Sequence, residues 1–157
     1  MNFIKRLIHD SKIVYSPVSG KIVPLEKVED PVFSEKLIGD GVTIEPENGS
    51  FFAPIDGVIT FLFPTKHAVG IQGKDGTDIL IHIGLDTVNL KGNGFHPFIK
   101  KGVEVHLGQK IMEVNLDAIR AKGFSLTTMV IVTNKSIREK TDKTYIKKGE
   151  KLFIIYE

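Results

Sequence analysis

One stretch of the chain has the pattern of a β-hairpin and decides the fold class. It consists of residues 63–72 (FPTKHAVGIQ), residues 73–76 (GKDG) and residues 77–84 (TDILIHIG). The outer segments are rich in β-branched and apolar residues, and the middle segment is rich in turn-forming residues. We therefore predict a strand, a tight turn and a second strand.

Two histidines, His67 and His82, occupy this hairpin, and the loop length decides how they pair. A two-residue loop of Lys74 and Asp75 places them directly opposite each other. A loop of Asp75 and Gly76 makes them diagonal neighbours. Both registers put the two imidazoles on one face of the sheet. A loop with an odd number of residues would separate them, because a slip of one residue reverses every side chain.

The second strand of the hairpin alternates between two kinds of residue. Three isoleucines, Ile79, Ile81 and Ile83, share one face, because side chains alternate along a strand. Leu80 and His82 share the other face. A sheet with one apolar face explains this pattern, so we expect the isoleucines to be buried and His82 to project outward.

Two polar residues flank the histidines. Thr65 lies two positions before His67, where its hydroxyl can bond one ring nitrogen and so select the tautomer. Asp86 follows shortly after His82 and borders the same region. The residues alone leave three interpretations open, namely half of a metal site, a nucleophile with its stabiliser, or two unrelated surface histidines.

The rest of the chain has the pattern of an all-β protein. Short apolar segments that we predict to be strands cover residues 57–63, 78–83, 109–114, 129–133 and 151–156. Between such segments lie the tight-turn dipeptides Asp40-Gly41, Asn48-Gly49, Asp56-Gly57, Asp75-Gly76 and Asn93-Gly94. This pattern predicts an antiparallel β-sandwich or a flattened barrel.

Two segments depart from the strand pattern. Residues 116–122 are predicted to form a helix, with Asn115 as its N-cap and Gly123 at the position that ends it. Residues 134–143 are polar, and we predict a loop with at most one helical turn.

Short internal repeats indicate that the fold is built from two similar halves. The first repeat relates residues 16–22 (SPVSGKI) to residues 53–59 (APIDGVI). The second repeat relates residues 99–102 (IKKG) to residues 146–149 (IKKG). Proline and glycine also recur wherever strands need turns, so independent turns are the alternative explanation.

Composition narrows the function classes. The chain has 157 residues, 41% of them hydrophobic and 25% charged, which is typical of one globular domain. The 21 basic and 19 acidic residues are scattered and leave a net charge of +2, so nucleic acid is not an expected partner. The absence of cysteine excludes thiolate catalysis and Cys-based metal sites.

The N-terminal residues 1–15 are treated as a segment separate from a domain over residues 16–157. We find no run of about 20 apolar residues and no signal peptide, so we expect a cytoplasmic protein. A helical spacing of Phe3, Ile4, Leu7 and Ile8 beside Lys5 and Arg6 is typical of segments that rest on anionic membranes. A frayed terminus or a short packed segment is the alternative.

Longer motifs connect the chain to a known family. Residues 82–95 (HIGLDTVNLKGNGF) resemble the signature around the phosphorylated histidine of the glucose-family IIA domain in the bacterial phosphoenolpyruvate-dependent sugar phosphotransferase system. Further matches occur in the expected order at residues 31–33 (PVF), 39–41 (GDG), 53–57 (APIDG) and 65–68 (TKHA). The resemblance extends from about Ser16 to the C-terminus.

This resemblance implies a phosphotransferase component with an antiparallel β-sandwich fold. By the resemblance, His82 accepts a phosphoryl group from the phosphohistidine of the carrier HPr. It passes the group to a cysteine of a IIB domain, which couples sugar uptake to phosphorylation. His67 would stabilise the phosphoryl group, Thr65 would orient His67, and Asp86 would meet an arginine of the partner. No cofactor or metal is required, and a monomer is expected.

The resemblance also implies an apolar docking surface around the histidines. Its members would be Val32, Phe33, Ile38, Phe63, Leu80 and Val88. For these residues core packing is the alternative explanation, except for Leu80, which shares the outward face with His82.

Two other functions are compatible with parts of the pattern. His82 and Asp86 form His-x-x-x-Asp, a ligand pair found in zinc peptidases of a related β fold, but these enzymes also need His-x-His, which this chain lacks. Zinc is still able to bind His67 and His82 when a partner carboxylate completes the site. The other alternative is a regulatory binding module without transfer activity.

Overall fold

The computed structural model describes residues 11–156, which form an antiparallel β protein. Within these residues the strands are β1 (Ser11–Tyr15), β2 (Gly20–Val23), β3 (Asp40–Pro46), β4 (Ser50–Phe52), β5 (Gly57–Leu62), β6 (Ala68–Gln72), β7 (Asp78–Ile83), β8 (Phe95–Pro97), β9 (Glu104–Val105), β10 (Lys110–Val114), β11 (Thr128–Val132), β12 (Ile137–Lys140), β13 (Tyr145–Ile146) and β14 (Lys151–Tyr156). The helices are α1 (Pro31–Ser34) and α2 (Leu116–Ala121), with 3₁₀ turns at Leu25–Lys27 and Thr87–Leu90.

Three sheets enclose one main core. The large sheet has eight strands in the order β13-β2-β3-β11-β7-β6-β5-β9, and two three-stranded sheets have the orders β4-β10-β8 and β1-β14-β12. The main core contains residues from all three sheets, such as Ile81, Ile111 and Phe153. Open sheets packed around a shared core confirm the predicted antiparallel sandwich. Among residues 11–156, no helix is long and apolar enough to cross a membrane.

The N-terminal segment is described only in part. Residues 11–15, which the sequence analysis assigned to that segment, form β1 and pair with β14. The apolar and basic pattern over residues 3–8 lies outside the described residues.

The predicted strands are confirmed with small shifts at their ends. Residues 78–83 and 151–156 form strands with the predicted bounds. The predicted helix is also confirmed, because α2 begins after Asn115, whose side chain accepts a hydrogen bond from Ala118 N at 3.1 Å. Gly123 follows the helix with φ of 86°.

Two local predictions are wrong. Asp40-Gly41 is not a turn but the start of β3, where a Cβ on Gly41 would lie 2.0 Å from the carbonyl oxygen of Val130. The glycine permits this close approach of two strands. Residues 134–143 are not a loop throughout, because residues 137–140 pair with β14 as an edge strand. The polar side chains there reflect the exposure of an edge, which resembles a loop in composition.

The pairing register of β6 and β7 also differs from both predicted registers. Ala68 pairs with His82 and Gln72 with Asp78, so five residues, 73–77, connect the strands. The Asp75 carboxylate explains the longer loop, because it accepts hydrogen bonds from the Thr77 N–H at 3.1 Å and the Thr77 hydroxyl at 2.9 Å. A side chain that bonds the backbone two residues ahead stabilises a turn of its own.

The isoleucines of β7 are buried as predicted, but the prediction of a single apolar face is wrong, because the face with Leu80 and His82 also carries an apolar cluster. Ile79, Ile81 and Ile83 belong to the main core. Leu80 packs on the opposite side against a second apolar cluster, which consists of Leu25, Val28, Phe33, Met129 and Ile131 with Leu80 and Leu85 at its edge. The second cluster lies between the large sheet and the connection that contains α1.

The first sequence repeat corresponds to a structural repeat. The Ser16 N–H donates to the Glu150 carbonyl, and the Ser16 carbonyl accepts from the Gly149 N–H. In the same way, the Ala53 N–H donates to residue 109 and the Ala53 carbonyl accepts from residue 108. From one edge of the large sheet the strand order is β13-β2-β3-β11, and from the other edge it is β9-β5-β6-β7, so the two halves correspond strand by strand. The second sequence repeat is not structural, because the turn that matches residues 146–149 is residues 105–108.

Thr43 lies on the same line of cross-strand neighbours as His82 and allows a test of a buried hydroxyl that lacks a hydrogen bond. Thr43 pairs with Met129, which pairs with His82, and its Oγ1 is buried with no hydrogen-bond partner among residues 11–156. Thr43→Val removes this unsatisfied hydroxyl and keeps the shape. We expect the free energy of unfolding in urea to rise by about 1 kcal/mol.

Thr128→Val is the matched control. The Thr128 side chain is equally buried, but its hydroxyl donates to the Leu126 carbonyl at 3.0 Å, so this change should destabilise the protein. Equal losses from both variants would mean that the Thr43 hydroxyl is bonded in solution.

Candidate functional site

A row of aromatic rings lies at the end of β7 on the side of the second cluster. The Phe33 and His82 ring centroids are 4.8 Å apart, and the His82 and His67 centroids are 4.9 Å apart in an edge-on arrangement. Phe63 continues the row at 5.5 Å from His67. The structure therefore brings together the two histidines that the sequence analysis selected.

The histidines are adjacent for a different reason from the predicted one. The loop is of odd length, yet His67 is not separated from His82, because His67 precedes the first residue of β6 and lies outside the regular ladder. Its carbonyl accepts a hydrogen bond from Ile83 N at 2.8 Å. The preceding residue, Lys66, has φ of 63°. The strand alternation rule thus does not apply to the His67 side chain.

His67 has almost no surface exposed to solvent. Its side chain is 3% exposed, and Thr65 Oγ1 lies 2.8 Å from its Nδ1. Burial lowers the pKa of His67 below the ordinary value of 6.5. A neutral imidazole held by Thr65 at Nδ1 has its other nitrogen, Nε2, available for a further contact.

His82 lies half-buried beneath Phe33. Its Nδ1 is enclosed, and the Gly84 backbone interacts with the ring. Burial lowers the pKa of His82 to about 4, and the neighbouring His67 adds to the lowering. The nearby Gly84 backbone and the charge of Asp30 favour the protonated ring, but more weakly. His82 is therefore a neutral imidazole at physiological pH.

Asp30 is a residue near the site that the sequence analysis missed. Its charge acts on His82, and its Oδ1 accepts a hydrogen bond from Val32 N at 3.0 Å as the N-cap of α1. A sequence signal for this cap existed, because aspartate followed by proline is a common start of a helix. What the sequence did not indicate is that this helix packs against β7.

Asp86 lies in the same surface pocket as Asp30. It is exposed, has φ of 58° and precedes the 3₁₀ turn Thr87–Leu90. A surface pocket brings it together with Asp30 and with apolar residues, and its lining is Glu29, Asp30, Pro31, Leu85, Asp86, Gly123, Phe124 and Ser125. One side of the site is thus acidic, with apolar walls.

Most of the apolar residues predicted around the histidines are exposed. Exposed side chains in this group are Val32, Ile38, Phe63 and Val88. Leu80 is partly buried at the edge of the second cluster. For Phe33 the alternative explanation, core packing, describes the structure, because Phe33 is 4% exposed and packs in that cluster against the His82 ring.

Leu37 is an exposed residue that no sequence motif indicated. Its side chain is 70% exposed, and its N–H donates to the Val32 carbonyl at 3.2 Å, which places its backbone beside the C-terminal end of α1. An exposed leucine at this position extends the apolar surface next to Val32.

The described residues contain no ready-made metal centre. No group of three or more His, Cys, Asp or Glu side chains within residues 11–156 is arranged to hold a metal ion. His67 and His82 form a pair, and the His-x-x-x-Asp pattern of His82 and Asp86 gains no third ligand in this part of the chain.

Residues 12–137 match the family described as phosphoenolpyruvate-dependent sugar phosphotransferase system, EIIA 1. The chain belongs to this family. The match covers both histidines, Thr65 and Asp86, so the predicted resemblance is confirmed.

Individual relatives of this EIIA chain agree with the family match. The glucose-specific EIIA component of Halalkalibacterium halodurans is 43% identical over 142 residues, which are 88% of this chain and 82% of that protein. The glucose-specific EIICBA component of Staphylococcus carnosus is 44% identical over 145 residues, which are 91% of this chain but only 22% of that protein. The chain therefore corresponds to one part of the larger relative.

A solved structure has the same fold as this EIIA chain. The glucose permease IIA from Mycoplasma capricolum superposes with a TM-score of 0.86 and 42% sequence identity, and covers 92% of this chain and 95% of that one. The β-sandwich assignment is confirmed by this match.

The low pKa of His82 predicts how stability varies with pH in this EIIA chain. The unfolded chain binds a proton at His82 near pH 6.5, but the folded chain binds it only near pH 4, so stability contributed by His82 is lost as pH falls between these values. The loss should reach about 3 kcal/mol below pH 4. A histidine titration by NMR should give His82 a pKa of about 4.

Urea unfolding of variants checks the same prediction. His82→Gln should show a smaller loss of stability between pH 7 and pH 4 than the wild type. His106→Gln is the control for replacing a histidine by glutamine, because His106 is exposed and lies outside the site. A His82 ring that titrates near pH 6.5 would contradict the prediction.

Proposed function

We propose that the chain is a phosphoryl carrier that accepts a phosphoryl group on His82 from the phosphohistidine of HPr and donates it to a cysteine of a IIB domain. The observation that supports this most directly is the arrangement of His82, with Nδ1 enclosed and a second neutral imidazole 4.9 Å away. Family membership supplies the transfer chain to which such a carrier belongs. Under this proposal the chain acts in the cytoplasm as a single IIA unit.

The state of His82 suits nucleophilic attack. A hydrogen on the enclosed Nδ1 leaves the lone pair on Nε2, and the depressed pKa of His82 keeps that lone pair free at neutral pH. In the first transfer the Nε2–P bond forms as the N–P bond of the donor breaks, and the donor imidazole keeps the electron pair. In the second transfer a thiolate attacks phosphorus, and the electrons of the Nε2–P bond return to His82.

His67 is suited to stabilise the transferred group. If the Thr65 hydroxyl donates to His67 Nδ1, the ring hydrogen is on Nε2, which becomes a hydrogen-bond donor. A donor beside His82 interacts with an equatorial oxygen of the phosphoryl group, where negative charge accumulates. Thr65 therefore acts through His67, by fixing its tautomer and ring orientation.

The surroundings of the histidines fit a protein partner with basic and apolar groups. Asp30 and Asp86 attract a partner cation, while the exposed Val32, Phe63 and Val88 provide apolar contact. Exposed apolar residues at a site are typical of an interface, and charge complementarity accelerates association. The same face serves both partners in turn, because both must reach His82.

A phosphorylation assay tests the proposed carrier function. The protein is incubated with phosphoenolpyruvate, the general phosphotransferase enzyme and HPr, and its intact mass is measured. We expect an acid-labile phosphoryl adduct on the wild type and on His106→Ala, and none on His82→Ala. His67→Gln should still be phosphorylated but should transfer the group slowly to a IIB domain. An adduct on His82→Ala would refute the assignment of His82.

Neutralising Asp30 tests the electrostatic part of the proposal. Asn is as good an N-cap as Asp, so Asp30→Asn keeps the start of α1 and removes only the charge. We expect phosphoryl transfer from HPr to slow by roughly threefold to tenfold at low salt, and the difference to shrink as salt screens the charge. Stopped-flow measurement over a salt series checks this.

Asp142→Asn provides the control for the charge change. Asp142 is an exposed carboxylate between β12 and β13 and is not part of the pocket beside His82. Equal slowing of both variants, or slowing that salt does not reduce, would contradict a specific role for Asp30.

A further inference from the structure

The loop between β5 and β6 is a tight turn that ends in a residue with unusual backbone conformation. Lys66 N donates to the Phe63 carbonyl at 2.7 Å, and Phe63 N donates to the Ala68 carbonyl at 3.1 Å. Pro64 stands at the second position of this turn, where its fixed φ is favourable. Lys66 follows with φ of 63°, in the left-handed region that glycine and asparagine tolerate best.

His67, the next residue, departs from the regular ladder geometry. The β6 and β7 register places residue 67 opposite Ile83, and Ile83 N does donate to the His67 carbonyl. In a regular ladder, opposite residues share a face, so the His67 side chain would join Ile83 in the main core. The observed ring instead contacts His82 on the other face.

The partner strand accommodates the break at the same point. The Ile83 carbonyl accepts a hydrogen bond from the Thr87 hydroxyl at 2.6 Å. This carbonyl is thus satisfied by a side chain at the position where a continued ladder would use the His67 N–H. The regular ladder thus ends at the pair Ala68 and His82.

The Lys66 side chain runs beside a neighbouring turn. Its Cδ lies 3.6 Å from the place that a Cβ on Gly92 would take, next to the 3₁₀ turn Thr87–Leu90. The Lys66 backbone, in contrast, is joined directly to His67.

We propose that Lys66 is a positioning residue whose left-handed backbone, and not its ammonium group, directs the His67 ring out of the β6 ladder and against His82. The inference rests on the proposed function for its kinetic consequence, because His67 is the stabiliser in that function. Its structural content, the orientation of His67, is independent of it.

Substitutions at Lys66 separate conformation from charge. Lys66→Gly and Lys66→Asn tolerate positive φ and remove the ammonium group, so both should transfer phosphoryl to a IIB domain within about twofold of the wild-type rate. Lys66→Gly should also raise the melting temperature by roughly 3 °C because it relieves backbone strain. Lys66→Val resists positive φ and should slow the same transfer roughly tenfold or more.

Gly102→Val is the matched control for strain alone. Gly102 has φ of 91° in a turn where a new Cβ would meet nothing within 4 Å, so valine there introduces the same backbone conflict away from the histidines. We expect a lowered melting temperature with unchanged transfer rate.

Imidazole ¹⁵N spectra read the orientation of His67 directly. The His67 ring signals and the His67–His82 ring contact should be retained in Lys66→Gly and Gly102→Val, and altered in Lys66→Val. If the wild type accepted no phosphoryl group, the proposed function would be refuted, but the spectra would still test the orientation of His67. Equal slowing by glycine and valine at residue 66 would assign the effect to the ammonium group and overturn the inference, as would unaltered spectra of Lys66→Val.

Discussion

The anchoring of β7 by its three isoleucines holds the rest of the site in place. Ile79, Ile81 and Ile83 are almost fully buried in the main core, and the pleat of the strand then forces His82 onto the opposite face. A shift of β7 by one residue would move His82 into the main core and take three isoleucines out of it, at a free-energy loss of several kcal/mol. Register in this strand is therefore fixed by hydrophobic burial, and the position of the nucleophile follows from it.

Burial also sets the chemistry of both histidines. Phe33 and His67 exclude water from the His82 ring, and the loss of hydration disfavours its charged form. The same enclosure covers the Nδ1 of His82. The site thus keeps an imidazole in the neutral form that nucleophilic attack needs.

Sequence patterns predicted those features that depend on short-range rules. The alternation in β7, the cap and end of α2, and Thr65 beside His67 all follow from the spacing of a few residues. The loop of residues 73–77 was mispredicted because the Asp75 side chain, and not a standard two-residue turn, closes it. The contact of Phe33 with His82 and the place of Asp30 depend on a connection that folds back across the sheet, which no local pattern specifies.

The mirrored order of the large sheet has a further consequence. When the strands of the two halves are matched from the two edges of the sheet, β11 corresponds to β7. Ile131 on β11 then has the position that His82 has on β7. In one half, the long segment of residues 24–39 connects β2 to β3 and covers Ile131. In the other half, the connection from β5 to β6 is only residues 63–67. The difference in connection length thus distinguishes the half in which Ile131 is covered from the half that carries the histidine pair. Two connections of equal length would leave both halves either covered or uncovered.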